Sequence, residues 1–238
     1  MVIPVQVRHA TAADAEAIAV VHVAARRETY AGLMPDRFFD ASALEGRRRM
    51  WSSILGLDPI PGTVVVAERA GRIVGFAFAG SSEHPDASKG LEPARDLHLF
   101  SIYVLAAEHG TGAGHALLAA ALEENPAQLW VASANNRARK FYERHGFRED
   151  GHSFADPISR VYSSFVWSAE SWGLAPTTGL SHGLGRSFPS ANWHDGGSVR
   201  TSVRFWVSSP AWAIDLAEYR RRGHAAARRA AGVVGAGR

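Results

Sequence analysis

The chain of 238 residues contains no cysteine. That absence excludes disulfides, thiolate metal sites and a cysteine nucleophile. A covalent intermediate on a protein thiol is therefore excluded. Lysine occurs only at Lys89 and Lys140, so arginine supplies nearly all the positive charge behind the formal net charge of +3. No apolar run approaches a membrane-spanning length. The first ten residues are broken by Gln6 and Arg8 where a signal peptide would carry an apolar core. These absences predict a cytoplasmic protein with no membrane partner. The eleven histidines are scattered without metal-ligand spacing, so no metal is expected. Hydrophobic residues make up 46% of the chain, enough to build a packed core.

Hydrophobic periodicity orders the chain. Val5 and Val7 alternate with Gln6 and Arg8 as a first strand. Thr11 reads as a helix N-cap with Asp14 three residues on, and Ile18, Val21 and Ala25 continue a helix to about Arg27. Ser42 and Glu45 form a capping-box pattern before a second helix carrying Met50, Trp51, Ile54 and Leu55. Residues 63–68 and 73–79 flank a turn around Gly71 and predict a hairpin. Residues 81–95 read as a loop, and Leu97 to Val104 as the next strand. An alanine- and leucine-rich helix follows, with Leu117, Leu118, Ala121 and Leu122 on one face. A short buried strand covers Leu129 to Val131. Asn135 then opens a helix that ends at Gly146, and two final strands run from Phe147 onward and from Val161 to Trp167. The predicted fold class is α+β, a mixed central sheet flanked by helices, with an irregular C-terminal extension.

The chemistry-bearing stretch is His109, Gly110, Thr111, Gly112, Ala113, Gly114, which follows a strand and opens a helix. Glycine permits a tight turn and close approach of a ligand. The first N–H groups of the helix lack internal partners and carry the positive end of its dipole, which suits phosphate. The spacing is neither a Rossmann fingerprint nor a P-loop. Taken by itself, a glycine-rich connector without a ligand also fits.

The run from Tyr103-Val104 through His109-Gly-Thr-Gly-Ala-Gly114 resembles the acetyl-CoA loop of the GNAT N-acetyltransferase superfamily, whose pattern is Gln/Arg-x-x-Gly-x-Gly/Ala. His109 stands at the Gln/Arg place. A second motif of that family is matched by Asn135-x-x-Ala138-x-x-Phe141-Tyr142-Glu143-Arg144-x-Gly146-Phe147, and Tyr30 to Pro35 is similar to its substrate-side loop. The resemblance covers Val5 to about Gly151 and implies a GNAT domain over residues 1–168.

The resemblance implies acetyl-CoA as acyl donor. Amides from His109 to Gly114 would hold its pyrophosphate, the strand Ile102, Tyr103, Val104 would pair with the pantetheine arm, and a splayed neighbouring strand near Trp130 to Ser133 would leave the slot. Asn135 would touch pantetheine, although a plain N-cap explains it equally. Tyr142 would serve as general acid and His98 as general base, with Asp96 and Glu28 as alternates for the base. An ordinary strand histidine is an equal account of His98. Tyr30 and Glu28 would contact the acceptor, a primary amine of a small molecule or peptide. Tyr30, Phe38 and Phe39 would line its pocket or serve as packing.

Residues 169–238 have no counterpart in that family. They are expected to form a partly disordered extension of unknown role, either a lineage-specific appendage or out-of-frame translation. The alternatives to catalysis are a non-catalytic CoA-binding sensor and a nucleic-acid-associated protein acting through the basic tail. Nucleic acid is the less favoured partner, and a homodimer is compatible with such a fold.

Overall fold

The computed structural model describes residues 3–32, 34–156 and 160–166. The 169–238 extension, and with it the domain boundary expected near residue 168, lies outside the described residues.

Twelve elements follow in chain order: β1 (Gln6–His9), α1 (Ala15–Tyr30), α2 (Ala41–Leu55), β2 (Thr63–Arg69), β3 (Arg72–Ser81), α3 (Pro85–Ser88), β4 (Leu97–Val104), α4 (Ala113–Leu122), β5 (Ala127–Ala132), α5 (Asn136–Arg144), β6 (Arg148–Asp156) and β7 (Arg160–Val166). The strands form one sheet in the order β1-β2-β3-β4-β5-β7-β6. Every neighbouring pair is antiparallel except β4 with β5, which is parallel. This is the expected α+β class.

Local chemistry explains most boundaries. Thr11 and Asp14 open a 3-10 turn that feeds α1. The Asp14 carboxylate accepts from the Thr11 N–H at 2.7 Å and its hydroxyl at 3.0 Å. It also takes a two-pronged contact from Arg8 at 2.8 and 2.9 Å, tying β1 to the start of α1. The β2–β3 hairpin turns at Ala70-Gly71, both at positive φ (50° and 74°), the twist-matched two-residue turn.

Two expectations need correction. The cap of α2 is Asp40, whose Oδ1 accepts from the Ala43 N–H at 2.9 Å and from the Ser42 hydroxyl at 2.6 Å. A carboxylate that reaches the N3 amide displaces Ser42 as cap, and Glu45 pairs instead with Arg49 at 3.2 Å. Within the expected loop 81–95, His84 and Pro85 start the short α3, with the His84 ring accepting from the Asp86 N–H at 3.1 Å.

The sheet divides two cores. On one face Leu117, Leu118, Ala121 and Leu122 of α4 pack with Leu129 and Val131 of β5, Leu99 of β4, Tyr142 and Phe147. Each fully buried leucine contributes about 2 kcal/mol of transfer free energy. On the other face α1 and α2 bring His22 and Trp51 against Phe76 and Tyr103, with ring centroids 4.8 to 6.1 Å apart.

The feature that creates a site is the β4–β5 pairing. It lasts for two residue pairs, Leu97 with Ala127 and His98 with Gln128. Beyond it β5 follows β7, while Ser101 to Val104 of β4 stay on β3. Gln128 pins the joined end, its Oε1 accepting from the Ala94 and Arg95 amides at 2.7 and 3.0 Å. The sheet therefore opens as a wedge toward the ends of β4 and β5.

Candidate active site

At the mouth of this wedge lies a cleft of about 430 Å³, lined by the end of α1 (Glu28 to Tyr30), the loop after β4 (Ala106, His109) and the start of α5 (Ala134 to Arg137). The fold thus brings together Glu28, Tyr30, His109 and Asn135, residues far apart in sequence.

The loop after β4 is braced from two sides. Glu28 Oε2 accepts from the Ala106 N–H at 2.7 Å, and Arg69 of β2 pairs with Glu108 at 2.9 Å. The amides of His109 and Thr111 turn inward, to the carbonyls of Ala106 (3.1 Å) and Glu108 (3.3 Å). This narrows the expected phosphate cradle. Among the described residues the amides of Gly110, Gly112, Ala113 and Gly114 have no protein partner. Gly110 and Gly112 sit at φ 81° and 89°, where a Cβ would be strained, and no atom lies within 4 Å of where it would stand. The loop therefore offers open backbone rather than packed backbone. Gly114 has a different reason: a Cβ there would meet the Phe141 ring at 3.2 Å, so glycine lets α4 and α5 close on each other.

His109 joins the cleft through its ring, which approaches the Val104 carbonyl at 3.1 Å and is hydrogen-bonded to the Arg137 guanidinium. Arg137 was not among the residues expected from the sequence. Its signal is position: it stands in the first turn of α5, two residues after the N-cap.

Asn135 plays two parts. Its Oδ1 accepts from the Ala138 N–H at 3.1 Å, capping α5, and its Nδ2 donates to the Tyr30 hydroxyl at 3.3 Å. Ile102, Tyr103 and Val104 form the β4 edge beyond the last β5 pair. Tyr142, on α5, is buried; burial first, then the nearby Tyr30 and Tyr103 phenols, push its pKa well above the usual tyrosine value. Phe38 and Phe39 are buried with Met34 and pack against Tyr30, so they act as the support of that tyrosine.

His98 stands elsewhere than expected. The β3–β4 register shifts between Phe78 and Ala79, which pair with Ser101 and Leu99 and leave Phe100 as the extra residue. This bulge reverses the alternation. Ile102 and Val104 pack with the α4 core, whereas the His98 ring meets Phe100 at 4.8 Å and Phe100 stacks on Phe78 toward α1 and α2. His98 is at the joined end of the wedge and fully buried, and burial, followed by Lys89 and His84, pushes its imidazole down to about 3. Asp96 precedes β4 at the same end. No group of three or more metal-ligating side chains occurs among the described residues, and no helix there is long and apolar enough to cross a membrane.

Comparison with known proteins places this fold among acetyltransferases. Residues 61–149, which hold the wedge, the loop and α5, match the family model for the acetyltransferase (GNAT) domain. A probable N-acetyltransferase of Mycobacterium tuberculosis is 27% identical over 165 residues, covering 66% of this chain and 88% of that protein. An uncharacterized N-acetyltransferase of the same species is 33% identical over 94 residues, 37% of this chain and 54% of that protein, about half its length. Among solved structures, the PaiA N-acetyltransferase of Thermoplasma acidophilum, determined with coenzyme A, superposes with a TM-score of 0.54 at 15% identity, covering 68% of this chain and 98% of that one. A Corynebacterium glutamicum structure described as histone acetyltransferase HPA2 and related acetyltransferase has a TM-score of 0.50 at 24% identity, covering 71% and 97%. These two likenesses concern the fold. The family-model match over residues 61–149 and the N-acetyltransferase relatives, taken with the split sheet and the glycine loop at its mouth, support one conclusion: the chain carries a GNAT-type acetyltransferase domain and is an acyltransferase.

Proposed function

We propose that the protein transfers an acetyl group from acetyl-CoA directly to a primary amine of a small molecule or peptide in a ternary complex. The carrying observation is the β4–β5 wedge with unpartnered loop amides at its mouth. Related solved proteins were determined with coenzyme A and, for the Salmonella typhimurium yncA protein, with acetyl-CoA. The residues present fit that cosubstrate. Gly110, Gly112, Ala113 and Gly114 would donate to the diphosphate, with Arg137 and His109 adding donors beside them. The free edge of Ile102 to Val104 would take the pantetheine amides as an added strand, and Asn135 would close over it.

Bound acetyl-CoA supplies an activated acyl carbon with a thiolate leaving group. The absence of cysteine favours direct transfer over a protein thioester. Tyr142 holds a proton at Oη, and its raised pKa keeps the phenol protonated across neutral pH, as the donor to a departing thiolate requires. A free alkyl amine is mostly protonated near neutrality and needs a proton acceptor. A histidine held near 3 is a poor one at pH 7, so we assign that role to Glu28 in preference to His98. Glu28 lines the cleft, uses one oxygen on Ala106, and its other oxygen accepts no hydrogen bond among the described residues.

Thiol release from acetyl-CoA over a panel of amines, run beside calorimetric titration of acetyl-CoA, tests the proposal. Saturable thiol release dependent on an amine supports it. Tight acetyl-CoA binding without release by any amine would establish a sensor in its place, and no binding at all would remove the nucleotide site.

A further inference from the structure

On the α1–α2 side of Tyr103 the structure gathers hydrogen-bond donors that lack acceptors among the described residues. His22, Arg26 and Tyr30 stand at i, i+4 and i+8 on one face of α1. Arg26 is 4% exposed, yet among the described residues its side chain makes one polar contact, a 3.7 Å approach to the Met34 sulfur, and its Nε has no partner there. Arg47, partly buried on α2, likewise meets among the described residues only the Met50 sulfur, at 3.3 Å. Neither forms an ion pair among the described residues.

The carboxylates of α1, of α2 and of the turn before α1 do not pair with these arginines among the described residues. Asp14 is held by Arg8, Glu16 by Arg48, Glu45 by Arg48 and Arg49, and Glu28 faces the cleft, accepting from the Ala106 amide. The remaining titratable neighbours are neutral. Tyr103 lies close enough to both arginines to feel their charge, and burial first, then Tyr30, pushes it up to about 12 against that pull. His22 Nδ1 accepts from the Trp51 indole N–H at 3.2 Å. Burial, Arg47 and Arg26 hold its pKa well below the usual value. A neutral imidazole that accepts at Nδ1 carries its hydrogen at Nε2. That nitrogen is buried and has no partner among the described residues, so it is a third donor with no acceptor among them.

Two guanidinium groups and an imidazole N–H, all donors and drawn together without a counter-charge, are costly in a folded chain. The arrangement becomes favourable when a ligand brings an anion with several acceptor oxygens. We propose that Arg26, Arg47 and His22 form the recognition site for an anionic group on the acetyl acceptor, so that the acceptor is an amine that also carries a carboxylate or a phosphate. The proposal rests on the acetyltransferase function above and adds the acceptor's chemical class. Tyr30 and Tyr103 connect the two regions. Tyr30 lines the cleft one turn beyond Arg26, and Tyr103 belongs to the free edge of β4 while its ring lies 4.8 Å from that of His22. An acceptor held by its anion behind these phenols would present its amine toward the wedge.

The full chain is assayed for thiol release with matched acceptors: ω-amino acids against their carboxamides, and phosphoethanolamine against ethanolamine. The acid of at least one pair is expected to exceed its neutral partner in kcat/KM by about 10-fold or more, and the pair that responds identifies carboxylate or phosphate. Arg26→Met and Arg47→Met should bring that ratio to near one, and Arg47→Lys should keep part of it. Thermal unfolding supplies a readout independent of turnover. Sodium glutarate or inorganic phosphate should raise the Tm of the native chain relative to glutaramide or sodium chloride at equal ionic strength, and the methionine variants should lose that response while being no less stable without ligand. Turnover of amines with no acid preference, or a preference that both methionine variants retain, would overturn the anion site and leave the acetyltransferase function standing. If no amine is acetylated, that function fails by itself. The anion site then stands or falls on whether glutarate or phosphate raises the Tm through Arg26 and Arg47.

Discussion

The Asn135 carboxamide donates to the Tyr30 hydroxyl at 3.3 Å, joining the start of α5 to the end of α1 across the mouth of the split sheet. The same side chain caps α5 at Ala138. Asn135→Ala should remove both bonds, lowering stability by about 1 kcal/mol and raising KM for acetyl-CoA. Asn135→Asp retains the cap acceptor and loses the donor to Tyr30. Thermal unfolding and steady-state kinetics on both variants separate the two parts: the aspartate variant should keep its Tm yet still show the raised KM.

Tyr142→Phe should lower kcat by about 100-fold, the low end for loss of a general acid, while the fold persists because the ring still packs with Phe141 and Phe147. The raised pKa means the phenol is still protonated where an ordinary tyrosine would begin to ionise near 10. The pH–rate profile of the native protein should therefore show no loss of activity from tyrosine ionisation near pH 10. A decline there that disappears in Tyr142→Phe would show the phenol ionising near 10 and overturn its raised pKa, whereas an unchanged kcat in Tyr142→Phe would refute the assignment as general acid.

Gly112→Ala places a Cβ at φ 89°, a conformation that costs about 1 to 2 kcal/mol for residues other than glycine. No atom obstructs it, so the fold should survive while the loop amides are displaced from the diphosphate. Calorimetric titration should show acetyl-CoA affinity reduced by about 10-fold. An unchanged Kd would mean that the cradle lies elsewhere.

Glu28→Gln should lower kcat/KM by about 100-fold, the low end for loss of a general base. His98→Gln should leave kcat/KM nearly unchanged, since an imidazole held at about 3 is a poor proton acceptor wherever the enzyme is assayed. A loss of activity confined to the His98 variant would restore His98 as the proton acceptor.

Acid should destabilise the protein earlier than its carboxylates require. His22 and His98 have folded pKa values below the ordinary 6.5. The unfolded chain therefore binds more protons below pH 6.5, and stability falls as pH falls. Their contribution is complete above pH 6.5 and declines steadily toward about 3, the folded value for His98. Asp14, held down to about 2 by Arg8, adds a further loss between its ordinary 3.8 and 2. Chemical denaturation from pH 7 to 4 should show this slope, and His98→Gln should flatten it.

Much of this protein was legible as a string of residues. The two glycine-bearing motifs, the hairpin at Gly71, the α4 face of Leu117, Leu118, Ala121 and Leu122, and the capping role of Asn135 are local, set by φ preference, periodicity and hydrogen bonds within a few residues. Two properties came only from the folded chain. The bulge at Phe100 depends on how β3 and β4 register across a sheet, so the face on which His98 falls was not written in the strand's own alternation. The company of Arg26, Arg47 and His22 depends on α1 packing against α2 and on where every nearby carboxylate finds its partner. A residue's charge is a property of the sequence, but whether that charge is neutralised is decided by distances between segments that only tertiary packing brings together.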